Sequence, residues 1–160
     1  MWDNATIMML VEGTFVTLYM TLATTFMGYV LGLPMGIALV ITAPKGLRPN
    51  KIIYKVLDVV VNVVRSFPFL ILLIVIQPVT GIIVGKSYGP TATIVPLTLS
   101  AAPFIARMVE SSLLEVDHGV IEAAQSMGAN LWTIIWKVMI GEAKTSLIVN
   151  VTIALGTILG

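Results

Sequence analysis

The sequence predicts an all-α polytopic membrane protein, a bundle of transmembrane helices, and three observations support this prediction. Of its 160 residues, 58% are apolar and only 11% are charged, and the mean hydropathy is +1.01. A soluble domain carries about a quarter charged residues, so this chain could not cover a water-exposed surface. The few charges are also separated by long uncharged runs, which do not alternate as membrane β-strands do. Backbone amides in lipid must be satisfied within their own segment, so each run is predicted to be helical.

Four uncharged runs define the predicted spans. These runs are 13–44, 66–85, 87–106 and 145–160. A bilayer core of about 30 Å needs roughly 20 helical residues, so the first three runs can span it. The predicted spans are about 14–42, 57–79, 88–109 and 145–160, all within a single transmembrane domain over 1–160. The last span reaches only about 24 Å at helical rise. We therefore expect it to be incomplete, either because the chain is C-terminally truncated or because another subunit completes it, with a short re-entrant helix as the alternative.

The cations predict how the chain is oriented in the membrane. Eight of the nine lie just after the first span or after the third: Lys45, Arg48, Lys51, Lys55, Arg65, Arg107, Lys137 and Lys144. Only Lys86 lies on the other side. Cytoplasmic segments are enriched in Lys and Arg, so segments 45–55 and 107–144 are predicted to be cytoplasmic and the N-terminus to be outside. Since no cation precedes Lys45, a signal peptide with a basic start is not expected.

Composition also bears on the functional class. The chain has no cysteine and a single histidine, His118, so disulfides, thiolate zinc sites, a metal centre and a cysteine nucleophile are not expected. A net charge of +1 gives no reason to expect nucleic acid as a partner. An unrelated channel or secondary transporter would bury acidic residues deep in its spans, whereas Asp58 lies at a span edge. A membrane-embedded enzyme would need converging catalytic groups, which are not found, while a structural or assembly subunit stays open.

Glycines and prolines suggest how the spans pack. Gly28, Gly32 and Gly36 recur every four residues and place a small-residue face on the first span, and Gly156 and Gly160 repeat the spacing in the last. Such faces allow close approach of membrane helices. Prolines that favour kinks fall in or near the spans: Pro34, Pro68, Pro78, Pro96 and Pro103.

Arg65 is the most costly residue in the predicted membrane region. A charge near the bilayer centre costs about 2.5 kcal/mol or more. Asp58 lies seven positions earlier on the same helical face, with Asn62 between them. We expect Arg65 either to pair with a carboxylate in the bundle or to face a translocation pathway. The alternative is that its long side chain extends to the nearby interface.

The cytoplasmic segment 107–144 predicts a helix–turn–helix. Strong helix formers precede Gly128, where a helix can end, and Asn130 can cap the next helix. That second helix is apolar on most sides, and its Trp132 and Trp136, four residues apart, are expected to anchor it at the interface, as Trp2 would outside. The result is an elbow with one arm in the cytoplasm and the other fastened to the bundle.

Within this elbow, Glu122-Ala123-Ala124, then Gly128, then the apolar residues 138–140, resemble the EAA loop of the membrane subunits of bacterial ABC importers. The usual ending is an apolar residue followed by proline, but here Gly141 takes that place. Four further segments resemble the permeases of methionine importers: 32–36, 65–73, 94–97 and 101–110. The resemblance runs over nearly the whole chain.

The resemblance implies an ABC importer permease fold in the bacterial inner membrane, with the EAA loop as a coupling helix. It also implies a homodimer, an ABC ATPase subunit bound to each copy and an external substrate-binding protein. Glu122, Ala123, Ala124 and Gly128 would couple the permease to the ATPase. The chain has no Gly-x-x-x-x-Gly-Lys-Ser/Thr motif, so ATP is expected to bind the partner and this chain is expected to be neither an enzyme nor cofactor-dependent. The implied substrate is methionine, with another small amino acid as the alternative.

Overall fold

The computed structural model describes residues 3–159, and all of its regular elements within that range are helices. They are α1 (Asn4–Thr42), α2 (Lys51–Ser66), α3 (Phe69–Val84), α4 (Pro90–Leu114), α5 (His118–Ser126), α6 (Leu131–Glu142) and α7 (Lys144–Leu159). α1 and α4 are each long and apolar enough to cross a bilayer, and counting two bent helix pairs as single spans raises the number to four. The predicted all-α architecture is confirmed.

The central packing element is the seam between α1 and α4, which run parallel. A Cβ added at Gly32 would lie 2.7 Å from the Ala102 carbonyl oxygen, and one at Gly36 would lie 2.6 Å from that of Ala106. Real Cβ atoms do not approach other atoms this closely. The glycine face predicted from the four-residue spacing is therefore the surface on which α4 packs, because only a bare backbone lets the helices meet at this distance.

The second predicted span is not one continuous helix. The chain breaks at Phe67 and Pro68, and the axes of α2 and α3 differ by 109°. The residue before a proline is disfavoured in the helical region, and Phe67 is extended at φ −77° and ψ 129°. The predicted span over 57–79 thus contains two helices, and the break falls at Pro68, one of the prolines expected to favour a kink. Four other prolines, Pro34, Pro78, Pro96 and Pro103, lie inside helices that continue through them.

α6 contains a π-helical stretch over Ile134–Met139, an irregularity that was not predicted from the sequence. A bend of 69° then separates α6 from α7, which begins at Lys144, close to the predicted start of the last span. No atom lies within 4 Å of a Cβ added at Gly156, so this glycine does not pack closely against another helix. Gly160, like Trp2, lies outside the described residues.

The core runs along the inward face of α4. Ile105, Val109 and Leu113 are almost fully buried there, in one cluster with Val40 of α1 and Met139 of α6. The cluster extends into α5 and α7, so the elbow and the last helix share a core with the central seam.

Candidate functional site: the elbow of α5 and α6 and its charged neighbours

α5 is held at both ends by local hydrogen bonds. The Asp117 carboxylate accepts from the Gly119 N–H at 2.6 Å and caps the start of the helix. At the other end, the Ala129 N–H donates to the Ala124 carbonyl at 3.1 Å. Gly128 between them has φ +77°, a left-handed conformation that glycine adopts without steric cost. The predicted turn at Gly128 is confirmed.

One face of α5 is buried and the other is open. Ile121 and Ala124 are buried in the common core, at 8% and 5% exposure, whereas Glu122 and Ala123 are exposed. The resemblance implied that both alanines take part in coupling the permease to the ATPase. The structure turns Ala124 inward, where its small side chain lets α5 lie close to the bundle. Ala123 alone of the two faces outward.

The outward face of α5 mixes apolar and charged groups. Met127 is 82% exposed and Val120 41% exposed. The Glu122 carboxylate lies 3.0 Å from Nδ1 of His118, one helical turn earlier, and both side chains are exposed. A carboxylate flanked by exposed apolar side chains is a surface suited to contact with another protein.

The second arm of the elbow is fixed to the bundle. The Asn130 side chain accepts from the Thr133 N–H at 2.8 Å, which confirms the predicted cap. Ile134, Ile135 and Met139 are buried. Trp132 and Trp136 stay exposed on the other side, as interfacial anchors would be. Because both arms bury side chains in one core, a displacement of α5 would be transmitted to α4.

A charged cluster joins α2 to α4. The Arg107 guanidinium donates to the carboxylates of Asp58 and Glu110, the latter at 2.7 Å, and to the Asn62 side-chain oxygen at 3.1 Å. The Arg107 side chain is only 19% exposed. Partly buried charges are tolerated when they are paired and hydrogen-bonded. This cluster was not predicted, although Asp58 and Asn62 are four residues apart and Arg107 and Glu110 are three apart, spacings that place each pair on one helical face.

Arg65 does not pair with Asp58, which Arg107 engages instead. Among residues 3–159 no ion pair to Arg65 is formed. Its exposed side chain lines a groove of about 560 Å³. The groove brings together this cation, two hydroxyls and apolar side chains: Arg65, Phe69, Leu97, Ser100, Ala101, Phe104, Thr157 and Ile158. Of the predicted alternatives, the paired arginine is therefore not observed.

A second polar network, also not predicted, joins α4 to α7. The Asn150 amide donates to the Met108 carbonyl at 3.0 Å and to the Ser112 hydroxyl at 2.7 Å, and Ser112 lies 2.7 Å from the Ser146 hydroxyl. Interhelical hydrogen bonds of this kind stabilise membrane bundles by about 0.6 kcal/mol each. Over residues 3–159, no cluster of three or more His, Cys, Asp or Glu side chains could hold a metal ion.

Comparison with known proteins defines the class. Residues 28–160 match the model of the family described as binding-protein-dependent transport system inner membrane component. The chain belongs to this family and is a transport permease subunit of the inner membrane. Its predicted resemblance to ABC importer permeases is confirmed.

The relatives are more specific. The chain is 49% identical over 158 residues to the D-methionine transport system permease protein MetI of Yersinia pestis, covering 99% of this chain and 73% of that protein. It is 47% identical over 152 residues to the MetI protein of Escherichia coli K12, covering 95% and 70%. These relatives are longer than the chain, in agreement with the predicted truncation of the fold.

Solved structures show the same fold. An inward-facing conformation of the MetNI methionine ABC transporter superposes with a TM-score of 0.97 at 45% identity, covering 99% of this chain and 74% of that one. An amino acid ABC transporter with histidines superposes with a TM-score of 0.62 at 24% identity, a likeness that extends to the fold alone. The predicted ABC importer permease fold is therefore confirmed.

Proposed function

We propose that this chain is the membrane subunit of an ATP-driven methionine importer. Two copies would form the translocation pathway, an ABC ATPase would bind each copy from the cytoplasm, and an external binding protein would deliver the substrate. The names of the relatives that are 47–49% identical support methionine as the substrate. The 45% identity to the permease of the MetNI transporter supports the assembly with an ATPase.

The observation that carries this proposal is the elbow formed by α5 and α6. Its outward face presents Glu122 and Ala123, while Ile121 and Ala124 are buried with Met139 in the core shared with α4. Closure of the ATPase would push on α5, and the buried contacts would move α4. The bundle would then shift between two packed arrangements, as interfaces between rigid elements do.

We assign distinct roles within the elbow. Glu122 provides the polar contact to the ATPase, and Ala123 leaves room for that subunit to approach. Gly128 fixes the angle between the two arms through its left-handed backbone. Ala124 lies on the inner face and keeps α5 close to the core, so that a displacement of α5 is transmitted to α4.

We also place Arg65 on the translocation pathway. Its exposed guanidinium shares a groove with Ser100, Thr157 and two phenylalanines. A cation beside hydroxyls and aromatic rings suits a zwitterion with an apolar side chain, because each part of that molecule then meets a complementary group.

The orientation proposed for the chain places the N-terminus outside and segments 45–55 and 107–144 in the cytoplasm. The distribution of cations supports it. The absence of cysteine from the sequence allows a direct test, in which Ser126→Cys and Tyr88→Cys are labelled with an impermeant maleimide. The residue at 126 should react only from the cytoplasmic side and that at 88 only from outside, and the reverse pattern would overturn the orientation.

The function is tested by ATP-driven uptake of labelled methionine into proteoliposomes that hold the assembled transporter and its binding protein. We expect uptake that requires ATP and that excess unlabelled methionine abolishes. Competition by another small amino acid but not by methionine would reassign the substrate. Uptake that proceeds without ATP would overturn the importer assignment.

Coupling through α5 is tested by crosslinking in the same complex. Ala123→Cys should form a disulfide with a cysteine placed in the facing surface of the ATPase, whereas Ala124→Cys should not, because residue 124 is buried. The two positions are adjacent, so they control for flexibility of the helix. Equal crosslinking from both positions, or from neither, would argue against the proposed face.

A further inference from the structure

An apolar stripe on α2 has no partner in the described part of the chain. Ile52, Val56, Val59 and Val63 recur at spacings of four, three and four residues, which places them on one helical face. Their exposures are 77%, 57%, 49% and 49%. The stripe therefore faces away from the protein core along the length of the helix.

The side of α2 opposite the stripe is already occupied. Val61 is fully buried against Leu39 of α1 and Ala106 of α4. Asp58 and Asn62 are hydrogen-bonded to Arg107. These contacts fix the rotation of α2 about its own axis, so the outward direction of the stripe is set by the fold and does not result from a loosely held helix.

Two lysines border the stripe at its N-terminal end. Lys51, Lys55, Ile52, Val56, Val59 and Val60 together line a shallow groove of about 490 Å³. Segment 45–55 holds four cations and no carboxylate, and the next carboxylate along the chain, that of Asp58, is engaged by Arg107. Within residues 3–159 neither lysine of the groove forms an ion pair, so this end of the groove is positively charged.

We propose that this groove binds an anionic phospholipid of the cytoplasmic leaflet, a site that rests on the proposed orientation. Lys51 and Lys55 hold the phosphate of the headgroup, and an acyl chain lies along Ile52, Val56 and Val59. α2 runs alongside α4 in the opposite direction, because Asp58 is bonded to Arg107 and Arg65, further along α2, shares a groove with Leu97. Lys51 and Lys55 therefore lie at the cytoplasmic end of the bundle, and the stripe continues from them toward the membrane interior. Lysines at the cytoplasmic surface attract anionic headgroups.

The charge pattern favours a lipid over a second copy of the chain or free phosphate. A second copy docked through the same face would bring the same lysines, which would not neutralise the two cations. Free phosphate would satisfy the lysines but leave the apolar stripe uncovered. An anionic phospholipid complements both parts of the groove at once.

The test uses the transporter complex in nanodiscs of mixed phosphatidylcholine and phosphatidylglycerol, and native mass spectrometry measures the phosphatidylglycerol that stays bound. The test variant is Lys51→Gln with Lys55→Gln. The matched control, Lys137→Gln with Lys144→Gln, removes the same charge from exposed cytoplasmic positions on α6 and α7. We expect retention to fall about 25-fold in the test variant, since each lysine near an anionic surface contributes about fivefold, and to stay unchanged in the control.

Further measurements distinguish the loss of the lipid site from damage to the protein. Lys51→Arg with Lys55→Arg keeps both charges and should retain the lipid. Inorganic phosphate should not displace it, because the acyl chain supplies part of the binding. Equal loss in test and control variants, no loss in either, displacement by phosphate alone, or crosslinking of a photoreactive residue at 59 to a second permease would each overturn the lipid site. Lipid retention is measured without substrate. The lipid site can therefore be tested even if the uptake assay does not support methionine import.

Discussion

The seam between α1 and α4 and the elbow of α5 and α6 are built on opposite principles. In the seam, backbone meets backbone, and there is no space for even one methyl group at Gly32 or Gly36. In the elbow, capping side chains and one left-handed glycine set the geometry, and no atom lies within 4 Å of a Cβ added at Gly128. Glycine is needed for space at the first site and for backbone conformation at the second.

This difference indicates that the seam stabilises the fold, whereas the elbow is the part of the molecule that moves. In the seam the two backbones are in contact at Gly32 and Gly36, so separating the helices would open voids between them. Within the elbow, α5 joins the core through one face only, so α5 can be displaced without unfolding the bundle. Substitutions in the seam should therefore prevent folding. Substitutions in the elbow should leave a folded permease that ATP hydrolysis no longer drives.

The largest effect is expected from Gly32→Leu. An added Cβ would lie 2.7 Å from the Ala102 carbonyl oxygen, so α1 and α4 would have to separate along their length. Overpacking typically costs about 1–3 kcal/mol, occasionally more, and here a backbone atom blocks the side chain. We expect no folded protein by fluorescence-detected size exclusion. Gly13→Leu, at a position with no atom within 4 Å of an added Cβ, should fold normally, and a folded Gly32→Leu protein would contradict the seam.

Next in size is Arg107→Gln, which leaves the carboxylates of Asp58 and Glu110 without their cation. Removing one partner of a buried ion pair costs about 3–5 kcal/mol, and partial exposure of this cluster places the expected loss near the lower end. A thermal unfolding scan in detergent would measure it. The double variant Arg107→Gln with Asp58→Asn should recover part of the stability, because one unpaired charge is then removed. Strict additivity of the two single substitutions would show that the residues do not interact.

These two sites also differ in how well the sequence predicted them. The glycine seam follows from a four-residue spacing within one helix, and the Gly128 turn and the Asn130 cap follow from adjacent residues. All three are local signals. The Arg107–Asp58 pair joins residues 49 positions apart, and nothing local distinguishes Arg107 as the partner from Arg65, which lies closer in sequence.

The break between α2 and α3 shows a further limit of the sequence. Pro68 was predicted to favour a kink, as were four other prolines, yet only Pro68 separates two helices. Every proline removes one backbone N–H hydrogen-bond donor, and the packing around the proline determines whether the helix continues. In the same way, the Glu-Ala-Ala motif located α5, but it could not show that Ala124 faces the core, since that depends on how α5 rotates against α6.

In the elbow, Gly128→Val should abolish transport while leaving the bundle assembled. A left-handed conformation costs a residue with a Cβ about 1–2 kcal/mol, more for a β-branched one, so α5 would swing away from the orientation that its partner requires. We expect methionine uptake to be lost and size-exclusion behaviour to be retained. Gly128→Asn is the matched control, because asparagine tolerates this conformation, and it should keep most of the activity. Normal uptake by the valine variant would remove the coupling role of the turn.

The smallest effect on stability is expected from Arg65→Gln, because the side chain is exposed and forms no ion pair within residues 3–159. A lower unfolding midpoint in this variant would show that Arg65 stabilises the bundle, contrary to this prediction. Uptake should respond differently: if the guanidinium faces the pathway, its loss weakens attraction for the substrate carboxylate and raises the KM for methionine. Lys86→Gln removes an exposed cation from the segment between α3 and α4 and should change neither quantity. Unchanged uptake and unchanged stability in Arg65→Gln would favour the remaining interpretation, an arginine that extends to the interface.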